Sequence, residues 1–293
     1  MEMKVYHYDA FSKIPGKGNP AGVVLEADHL NVEGMQKIAS QVGFNETAFV
    51  MKSEVADIRL RYFTPGHEMD LCGHGTMAAI CALSDHQFLT ERAEIRVETK
   101  AGILTIKSKY SKDGQIWMTM QQAPPVFEAF LGSRADLAQV IGLADQDLAD
   151  GWPIMYGSTG IWTLLVPIKK LASFQKMKSD NYKFPAILQA MPHTSIHPFC
   201  LETIDASATM HARHFSSPFS GTIEYPVTGT ASGVMGAYYA KFIASDFDES
   251  LDIVVEQGVE VGRDGKVMVH IHKKEITYDI EITGTAVFVG EIG

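Results

Sequence analysis

The order of hydrophobic and polar residues predicts that strands dominate the chain and that a few helices separate them. The clearest segment has alternating residues at 58–63, as in a strand, and uniformly apolar residues at 77–83, as in a buried helix. Between these segments lies the glycine-rich sequence 72–76, Cys-Gly-His-Gly-Thr. Glycines let a backbone approach a ligand, and a helix N-terminus offers free amides to an anion. This segment is therefore expected to bind a carboxylate.

The same patterns define the other elements. Helices are predicted at 31–42, 133–143, 179–191 and 230–243. Strands are predicted at 5–11, 21–25, 44–51, 93–106 with a turn at 101–102, 115–120, 162–167, 196–204, 209–215, 253–255 and 266–272, with a strand pair ending at 293. Two consecutive prolines, at 124 and 125, favour an extended linker. We therefore expect the domain crossover near these prolines.

An internal repeat relates the two halves of the chain. Arg61-x-Phe-Thr, Glu68, Gly73-His-Gly-Thr and an apolar helix recur as Arg213-x-Phe-Ser, Glu224, Gly229-Thr-Ala-Ser and a second apolar helix. Chance similarity between strand-glycine-helix units is the alternative, but the shared order favours a duplication. Two glycine-rich helix N-termini could then hold one small anion from opposite sides.

Glu46 is the first candidate for acid–base chemistry, because it lies among apolar residues of a predicted strand. A buried carboxylate holds its proton more readily, which suits proton transfer near neutral pH. The alternative is a solvated glutamate at the end of a strand. His74, between two glycines, could bind substrate or move a proton, or it could be an ordinary loop residue.

Cys72 precedes a predicted helix N-terminus and could act as a base or nucleophile, although most isolated cysteines are simply buried. Asp70 could serve solvation or capping as well as catalysis. The segment 228–232 offers hydroxyls and amides and is interpreted as a binding element. His211 and His214 are interpreted as parts of a surface or interface face of a strand.

Composition excludes several classes of function. The net charge of −10 argues against a nucleic-acid partner. Three cysteines without metal-type spacing argue against disulfides and a zinc site. No apolar run approaches the length of a membrane span, and no signal peptide pattern is present, so we expect a cytoplasmic protein. Nucleotide-binding glycine motifs are also missing, which indicates no nucleotide cofactor.

The chain resembles the PhzF-like family, named after the phenazine-biosynthesis isomerase, in the diaminopimelate epimerase and proline racemase superfamily. The resemblance rests on five motifs that occur in this order: Gly18-Asn-Pro-Ala-Gly-Val-Val24, Gly43-Phe-Asn-Glu-Thr-Ala-Phe49, Phe63-Thr-Pro65, Leu71-Cys-Gly-His-Gly-Thr76 and Pro226-Val-Thr-Gly-Thr230.

This resemblance implies an α+β fold with two pseudo-symmetric domains, each a curved, mostly antiparallel sheet or barrel around a central helix. The C-terminal strand is expected to return to the first domain, which gives domains of 1–120 plus about 278–293 and of 121–277. A cofactor-free and metal-free site between the domains and a homodimer are also implied.

The motifs also assign roles to individual residues by resemblance. Glu46 matches the general acid/base, and His74 matches a histidine that contacts the substrate. Gly73, Gly229 and Thr230 match the anion-binding positions. The matching motifs further assign Asn19 and Asn45 to substrate binding. The ligand implied is a small anionic metabolite.

Two departures from the family's pattern leave alternatives open. Tyr225 stands where an aspartate implicated in substrate binding is common, which implies another substrate or weakened chemistry. Thr228 stands where the superfamily's cysteine epimerases have their second cysteine, so a two-thiol racemase is disfavoured.

The leading hypothesis is an isomerase with Glu46 as its one base. The alternatives are an epimerase or dehydratase that uses Cys72, and a non-catalytic metabolite-binding or interaction protein.

Overall fold

Strands outnumber helices in the computed structural model, which describes residues 4–89 and 91–292. The strands are β1 (Val5–Ala10), β2 (Asn19–Val24), β3 (Glu46–Met51), β4 (Ile58–Phe63), β5 (Glu68–Met69), β6 (Glu94–Thr99), β7 (Gly102–Tyr110), β8 (Ile116–Gln121), β9 (Val126–Ala129), β10 (Met155–Ser158), β11 (Trp162–Pro167), β12 (Ser195–Cys200), β13 (Met210–Ala212), β14 (Ser250–Gln257), β15 (Gly265–Lys273), β16 (Tyr278–Gly284) and β17 (Ala286–Ile292). The α-helices are α1 (Val32–Val42), α2 (Gly73–Asp85), α3 (Arg134–Val140), α4 (Phe184–Ile187) and α5 (Gly229–Tyr238). The fold is α+β, as predicted.

Backbone contacts divide the chain into two units. Met1–Gln121 and Thr283–Gly293 form the first unit, and Gln122–Ile282 forms the second. Such contact clusters do not test whether either unit folds on its own, so the predicted domain boundaries stay a prediction.

In the first unit, a sheet surrounds one apolar helix. β1 pairs antiparallel with β2 and β17, β2 pairs parallel with β3, and β3 pairs antiparallel with β4. β4 continues parallel to β6, and β6, β7 and β8 follow as an antiparallel meander. Every residue from Gly75 to Leu83 of α2 is buried, and α2 contacts β1, β2 and β3. A helix that is apolar on all sides is stable only when its whole circumference is covered.

Helix α1 leads the chain to the strand that carries Glu46. The Asn31 side chain accepts a hydrogen bond from the Gly34 amide at 2.8 Å, which satisfies one free donor at the helix N-terminus. Gly43 ends the helix in the left-handed conformation, at φ 70°, where a side chain would be strained. Both ends match the sequence prediction, and they determine where β3 begins.

The second unit repeats the strand order of the first. β9, β10 and β11 pair antiparallel, β11 pairs parallel with β12, and β12 pairs antiparallel with β13. β13 then pairs parallel with β14, and β14 antiparallel with β15. Helix α5 is buried from Ala231 to Tyr238 and contacts β10 and β15. The second unit therefore has the same alternation of parallel and antiparallel pairs around its own helix.

Strand register shows which residues correspond between the units. In the first unit, Thr47 of β3 lies opposite Phe63 of β4. In the second unit, Ile196 of β12 lies opposite Phe215, with reciprocal backbone hydrogen bonds of 2.9 Å. Phe63 and Phe215 occupy the same position in the sequence repeat, so Thr47 corresponds to Ile196.

The parallel strand pairs give the same correspondence independently. Glu46, the first residue of β3, lies opposite Ala21 of β2. Ser195, the first residue of β12, lies opposite Thr163 of β11. The structural counterpart of Glu46 in the second unit is therefore Ser195.

Each unit also carries an arginine–glutamate ion pair at corresponding positions of the repeat. Arg61 Nε donates to Glu68 Oε1 at 2.7 Å in the first unit. In the second unit, Arg213 binds Glu224 through two parallel hydrogen bonds of 2.8 and 2.6 Å. The residues that suggested a duplication in the sequence thus make the same contact in both units.

Three parts of the sequence prediction were wrong. Instead of one helix over 179–191, the chain forms a 3₁₀ turn at Asn181–Lys183 and the single turn of α4. β5, β9 and β10 were not predicted. His211 and His214, assigned to a surface face, are both buried. No helix in the described ranges is both long and apolar enough to cross a membrane.

Candidate active site

Glu46 lies at the start of β3 and is only 3% exposed. The backbone reaches this position directly from the turn at Gly43, after the half-buried residues Phe44 and Asn45. Its side chain therefore enters the interior of the first unit, and the alternative of a solvated glutamate is wrong. A carboxylate held in such surroundings needs a polar or charged partner.

Cys72 caps the N-terminus of α2 and is 6% exposed. Its Sγ accepts a hydrogen bond from the Gly75 amide at 3.3 Å. A Cβ atom at Gly75 would lie only 3.1 Å from this Sγ and 3.3 Å from the Tyr62 ring. The second glycine of the motif is therefore required by close packing around the thiol.

His74 lies between Cys72 and Glu46. Its Nδ1 is 3.4 Å from Cys72 Sγ, and its Nε2 is 3.0 Å from Glu46 Oε2. Burial alone lowers the pKa of His74, but the charges of Cys72 and Glu46, with hydrogen bonds to both, raise that pKa well above its ordinary value. The contacts with Cys72 and Glu46 therefore favour the protonated, imidazolium form of His74. We call Glu46, Cys72 and His74 the acid–base cluster.

The N-terminus of α2 offers donors beside the acid–base cluster. The amides of Gly73 and His74 have no acceptor within residues 4–89 and 91–292, whereas the next two amides bond to Sγ and to the carbonyl of Cys72. Free amides, a helix dipole and an imidazolium together attract an anion. This end of the first unit can therefore hold a carboxylate next to Glu46.

The acid–base cluster is also the one group in the described chain whose possible metal-ligand atoms lie within 4.8 Å of one another. His74 Nε2 lies 3.0 Å from Glu46 Oε2 and 3.9 Å from Cys72 Sγ, so the three side chains form one compact group.

The structure places the other predicted residues of the first unit in different surroundings. Asn19 begins β2 and is fully buried. Asn45 is half-buried, and its side chain makes no hydrogen bond in the described parts of the chain, so its amide is available to a ligand. Asp70 is exposed and pairs with Lys100 at 3.1 Å, away from the acid–base cluster.

In the second unit, Gln257 holds the segment that precedes α5. Its side chain accepts a hydrogen bond from the Thr228 hydroxyl at 2.9 Å and donates one to the Tyr225 carbonyl, also at 2.9 Å. The amides of Gly229 and Thr230 have no acceptor in the described residues. The binding roles of Gly229, Thr230 and Tyr225 stay predictions.

The second unit has no counterpart of the acid–base cluster. Its structural equivalents are Ser195 for the glutamate, Thr228 for the cysteine and Thr230 for the histidine. The Ser195 hydroxyl donates to the Thr163 hydroxyl at 2.8 Å. None of these side chains titrates near neutral pH. At these equivalent positions, only the first unit has side chains that can move a proton near neutral pH.

Sequence reasoning missed Tyr62, which supports the cluster from β4. Its hydroxyl is 2.6 Å from Thr76 Oγ1, and Thr76 in turn donates to the Cys72 carbonyl at 2.7 Å. These bonds fix the first turn of α2. The inward position of Tyr62 in an alternating strand was visible in the sequence, but its partner was not.

Comparison with known proteins places the chain among isomerases. The family model described as phenazine biosynthesis-like protein matches residues 8–291. The chain is 49% identical to the uncharacterized isomerase YfhB of Bacillus subtilis over 287 residues, which are 98% of this chain and 97% of the relative. It is 26% identical to the trans-2,3-dihydro-3-hydroxyanthranilate isomerase of Pseudomonas chlororaphis, covering 98% of each protein.

Solved structures agree with this placement. A phenazine biosynthesis protein of the PhzF family from Bacillus anthracis superposes with a TM-score of 0.97 at 54% identity, covering 99% of this chain and 98% of that one. A probable proline racemase from Agrobacterium radiobacter has a TM-score of 0.63 at 11% identity, covering 99% and 92% of the two chains. The latter likeness concerns the fold alone, which is the one shared with diaminopimelate epimerase.

Proposed function

Because the chain belongs to the family of phenazine biosynthesis-like proteins, we propose that it moves a proton between two carbons of a small, carboxylate-bearing metabolite. The reaction is an isomerisation that requires no cofactor, with Glu46 as the general acid/base. The observation that carries the proposal is the buried Glu46 carboxylate 3.0 Å from His74, beside the free amides of a helix N-terminus.

Each part of the acid–base cluster has a role in this reaction. The amides of Gly73 and His74 hold the substrate carboxylate, which positions a neighbouring C–H bond near Glu46. Glu46 takes the proton, the electron pair left on carbon is delocalised through the substrate, and the same carboxyl returns the proton to another carbon. The His74 imidazolium stabilises the negative charge that develops on the substrate during the transfer.

The proposed reaction uses one base. Inversion of a carbon centre needs one group to remove a proton and a second group to deliver a proton on the opposite face. Ser195, Thr228 and Thr230 cannot supply that second group near neutral pH. A proton transfer that starts and ends at Glu46, on one face of the substrate, is consistent with this distribution.

Exchange of substrate hydrogen with D₂O tests the role of Glu46. Small cyclic carboxylates, with trans-2,3-dihydro-3-hydroxyanthranilate as the first probe, are incubated with the enzyme in D₂O and followed by proton NMR. Glu46→Gln keeps the shape and the hydrogen-bonding capacity of the side chain but removes the base, so deuterium incorporation should disappear. Glu94→Gln is the matched control, since Glu94 is exposed at the start of β6. Incorporation that survives in Glu46→Gln would exclude the proposal.

A second candidate function uses Cys72 as the acid or base of an epimerase or dehydratase. It is favoured by one observation, the contact of 3.4 Å between Cys72 Sγ and His74 Nδ1. Cys72→Ala would then abolish turnover as completely as Glu46→Gln does. Under the leading proposal, Cys72→Ala retains measurable exchange because Glu46 is unchanged. The isomerase names of the relatives disfavour the non-catalytic role that Tyr225 left open.

A further inference from the structure

A cavity of about 300 Å³ lies within the second unit, among residues of β9, the turn after α5 and the hairpin between β15 and β16. Its lining consists of Pro125, Phe127, Lys241, Lys273, Lys274, Glu275, Ile276, Thr277 and Tyr278. Polar and apolar side chains contribute about equally to the lining, which contains three ammonium groups and the Glu275 carboxylate. The cavity is open to solvent, because Lys241 and residues 273–276 are exposed. No residue of the acid–base cluster lines this cavity.

The lysines carry positive charge that the protein only partly neutralises. Lys274 pairs with Asp279 at 2.9 Å. Lys273 donates to the Phe247 carbonyl and lies 4.2 Å from the centre of the Phe247 ring. Lys241 has no carboxylate partner in residues 4–89 and 91–292. Three lysines against the carboxylates of Glu275 and Asp279 leave a local excess of one positive charge, 3 − 2 = 1, which favours an anion in a chain of net charge −10.

An unusual helix turn places Lys241 in the cavity wall. After α5 the helix continues as a π-helical turn at Tyr239–Ile243, with the Ala244 amide bonded to the Tyr239 carbonyl at 2.8 Å. Within this turn, Lys241 Nζ lies 5.3 Å from the centre of the Phe127 ring and 5.4 Å from that of Phe242. Turns of this kind are rare and occur preferentially at functional sites.

We propose that this cavity binds a small ring that carries a carboxylate. The volume lies at the lower end of the range for ligand pockets, about 300–1,000 Å³, and therefore suits a single ring rather than a nucleotide. Phe127 and Tyr278 offer aromatic faces to a flat ring, and the ammonium groups of Lys241 and Lys273 bind its carboxylate. The site is independent of the proposed isomerisation, because it shares no residue with the acid–base cluster.

Three probes separate the contributions of ring and charge. Benzoate combines both, benzyl alcohol keeps the ring without the charge, and inorganic phosphate keeps charge without the ring. Titration of the full-length, ¹⁵N-labelled protein by NMR reports the position of binding residue by residue. Benzoate should shift the backbone signals of residues 273–278 and of Lys241, and both other probes should bind there about tenfold more weakly or less.

Variants decide whether the lysines are responsible. Lys241→Met and Lys273→Met keep the apolar stem and remove the charge, so each should raise the dissociation constant of benzoate in this cavity about tenfold. Lys37→Met, on the exposed side of α1, changes the net charge equally and should have no effect. Glu46→Gln should also leave binding here unchanged, which separates the cavity from any benzoate bound at α2. Benzoate shifts that avoid the cavity, persist in both lysine variants, or are matched by benzyl alcohol or phosphate would overturn the proposal.

Discussion

Replacement of His211 should destabilise the protein more than any other single histidine substitution in the second unit. His211 is fully buried in β13, and its two nitrogens contact two carboxylates, Glu256 at 2.8 Å and Glu260 at 2.9 Å. Both ring nitrogens must donate to make these contacts, so the ring is an imidazolium. Glu256 also accepts the amides of Ile204 and Asp205, which fix it as a carboxylate.

His211→Gln removes the positive charge and leaves two carboxylates buried. A hydrogen bond to a charged partner is worth about 1.5–3 kcal/mol, and two are lost. Removing one member of a buried ion pair costs about 3–5 kcal/mol, and we expect His211→Gln to fall in that range. His270→Gln is the control, because His270 pairs with Asp252 at the surface, where such pairs contribute about 1 kcal/mol or less.

The stability lost in His211→Gln should depend on pH in a defined direction. Burial alone lowers the pKa of His211, but the bonds to both glutamates raise it above its ordinary value. The contribution of His211 to the free energy of unfolding is therefore complete below about pH 6.5 and is lost as pH rises through its folded-state pKa. Burial alone raises the pKa of Glu256, but the hydrogen bonds from His211 and from two backbone amides lower that pKa overall. The contribution of Glu256 to the free energy of unfolding is therefore complete above about pH 4.5 and is lost as pH falls through its folded-state pKa.

Urea unfolding measures both the size and the pH dependence of this effect. Trp117 lies in the first unit and Trp152 and Trp162 lie in the second, so fluorescence, like circular dichroism, follows the unfolding of both units. The difference between wild type and His211→Gln should be largest near pH 6 and should shrink towards alkaline pH. A difference below about 1 kcal/mol at pH 6, or one that is constant into the alkaline range, would refute the reasoning.

Three further predictions concern the packing around Cys72, the repeat and the assembly. Gly75→Ala should lower the free energy of unfolding by about 1–2 kcal/mol, measured by urea denaturation, because its Cβ would press on Cys72 Sγ. Arg213→Lys should cost about 2 kcal/mol through loss of its two-bond pairing with Glu224, and more than Arg61→Lys, which loses a single bond of 2.7 Å; equal costs would contradict this. Light scattering should give the mass of a homodimer, about twice 32.2 kDa, and a monomer at all concentrations would disprove that prediction.

Local signals in the sequence predicted much of the fold correctly. The cap at Asn31, the left-handed glycine at Gly43 and the apolar stretch of α2 are determined by neighbouring residues, so single-sequence patterns are sufficient to find them. The predicted helix over 179–191 failed for a tertiary reason. The Asn181 side chain donates hydrogen bonds of 2.7 Å to the carbonyls of Ser216 and Ile223, which hold that backbone in a short turn.

The candidate site was predictable in its residues but not in its geometry. Motif resemblance identified Glu46, Cys72 and His74 one by one, whereas their contact depends on how β3 meets the start of α2. The error for His211 has the same origin. Its partners Glu256 and Glu260 lie far downstream in the chain, and no local pattern indicates that a histidine will be enclosed between two carboxylates.

The matched strand registers of the two units distinguish residues that support the fold from residues that could take part in chemistry. Both copies keep the arginine–glutamate pair and a hydroxyl that bonds back to the N-cap carbonyl, Thr76 in one and Ser232 in the other. At the positions of the acid–base cluster, only one copy has side chains that exchange protons near neutral pH. The second copy has the same frame without them, and it offers a starting point for engineering. Ser195→Glu with Thr228→Cys would restore to the second unit two of the reactive side chains that the first unit has kept.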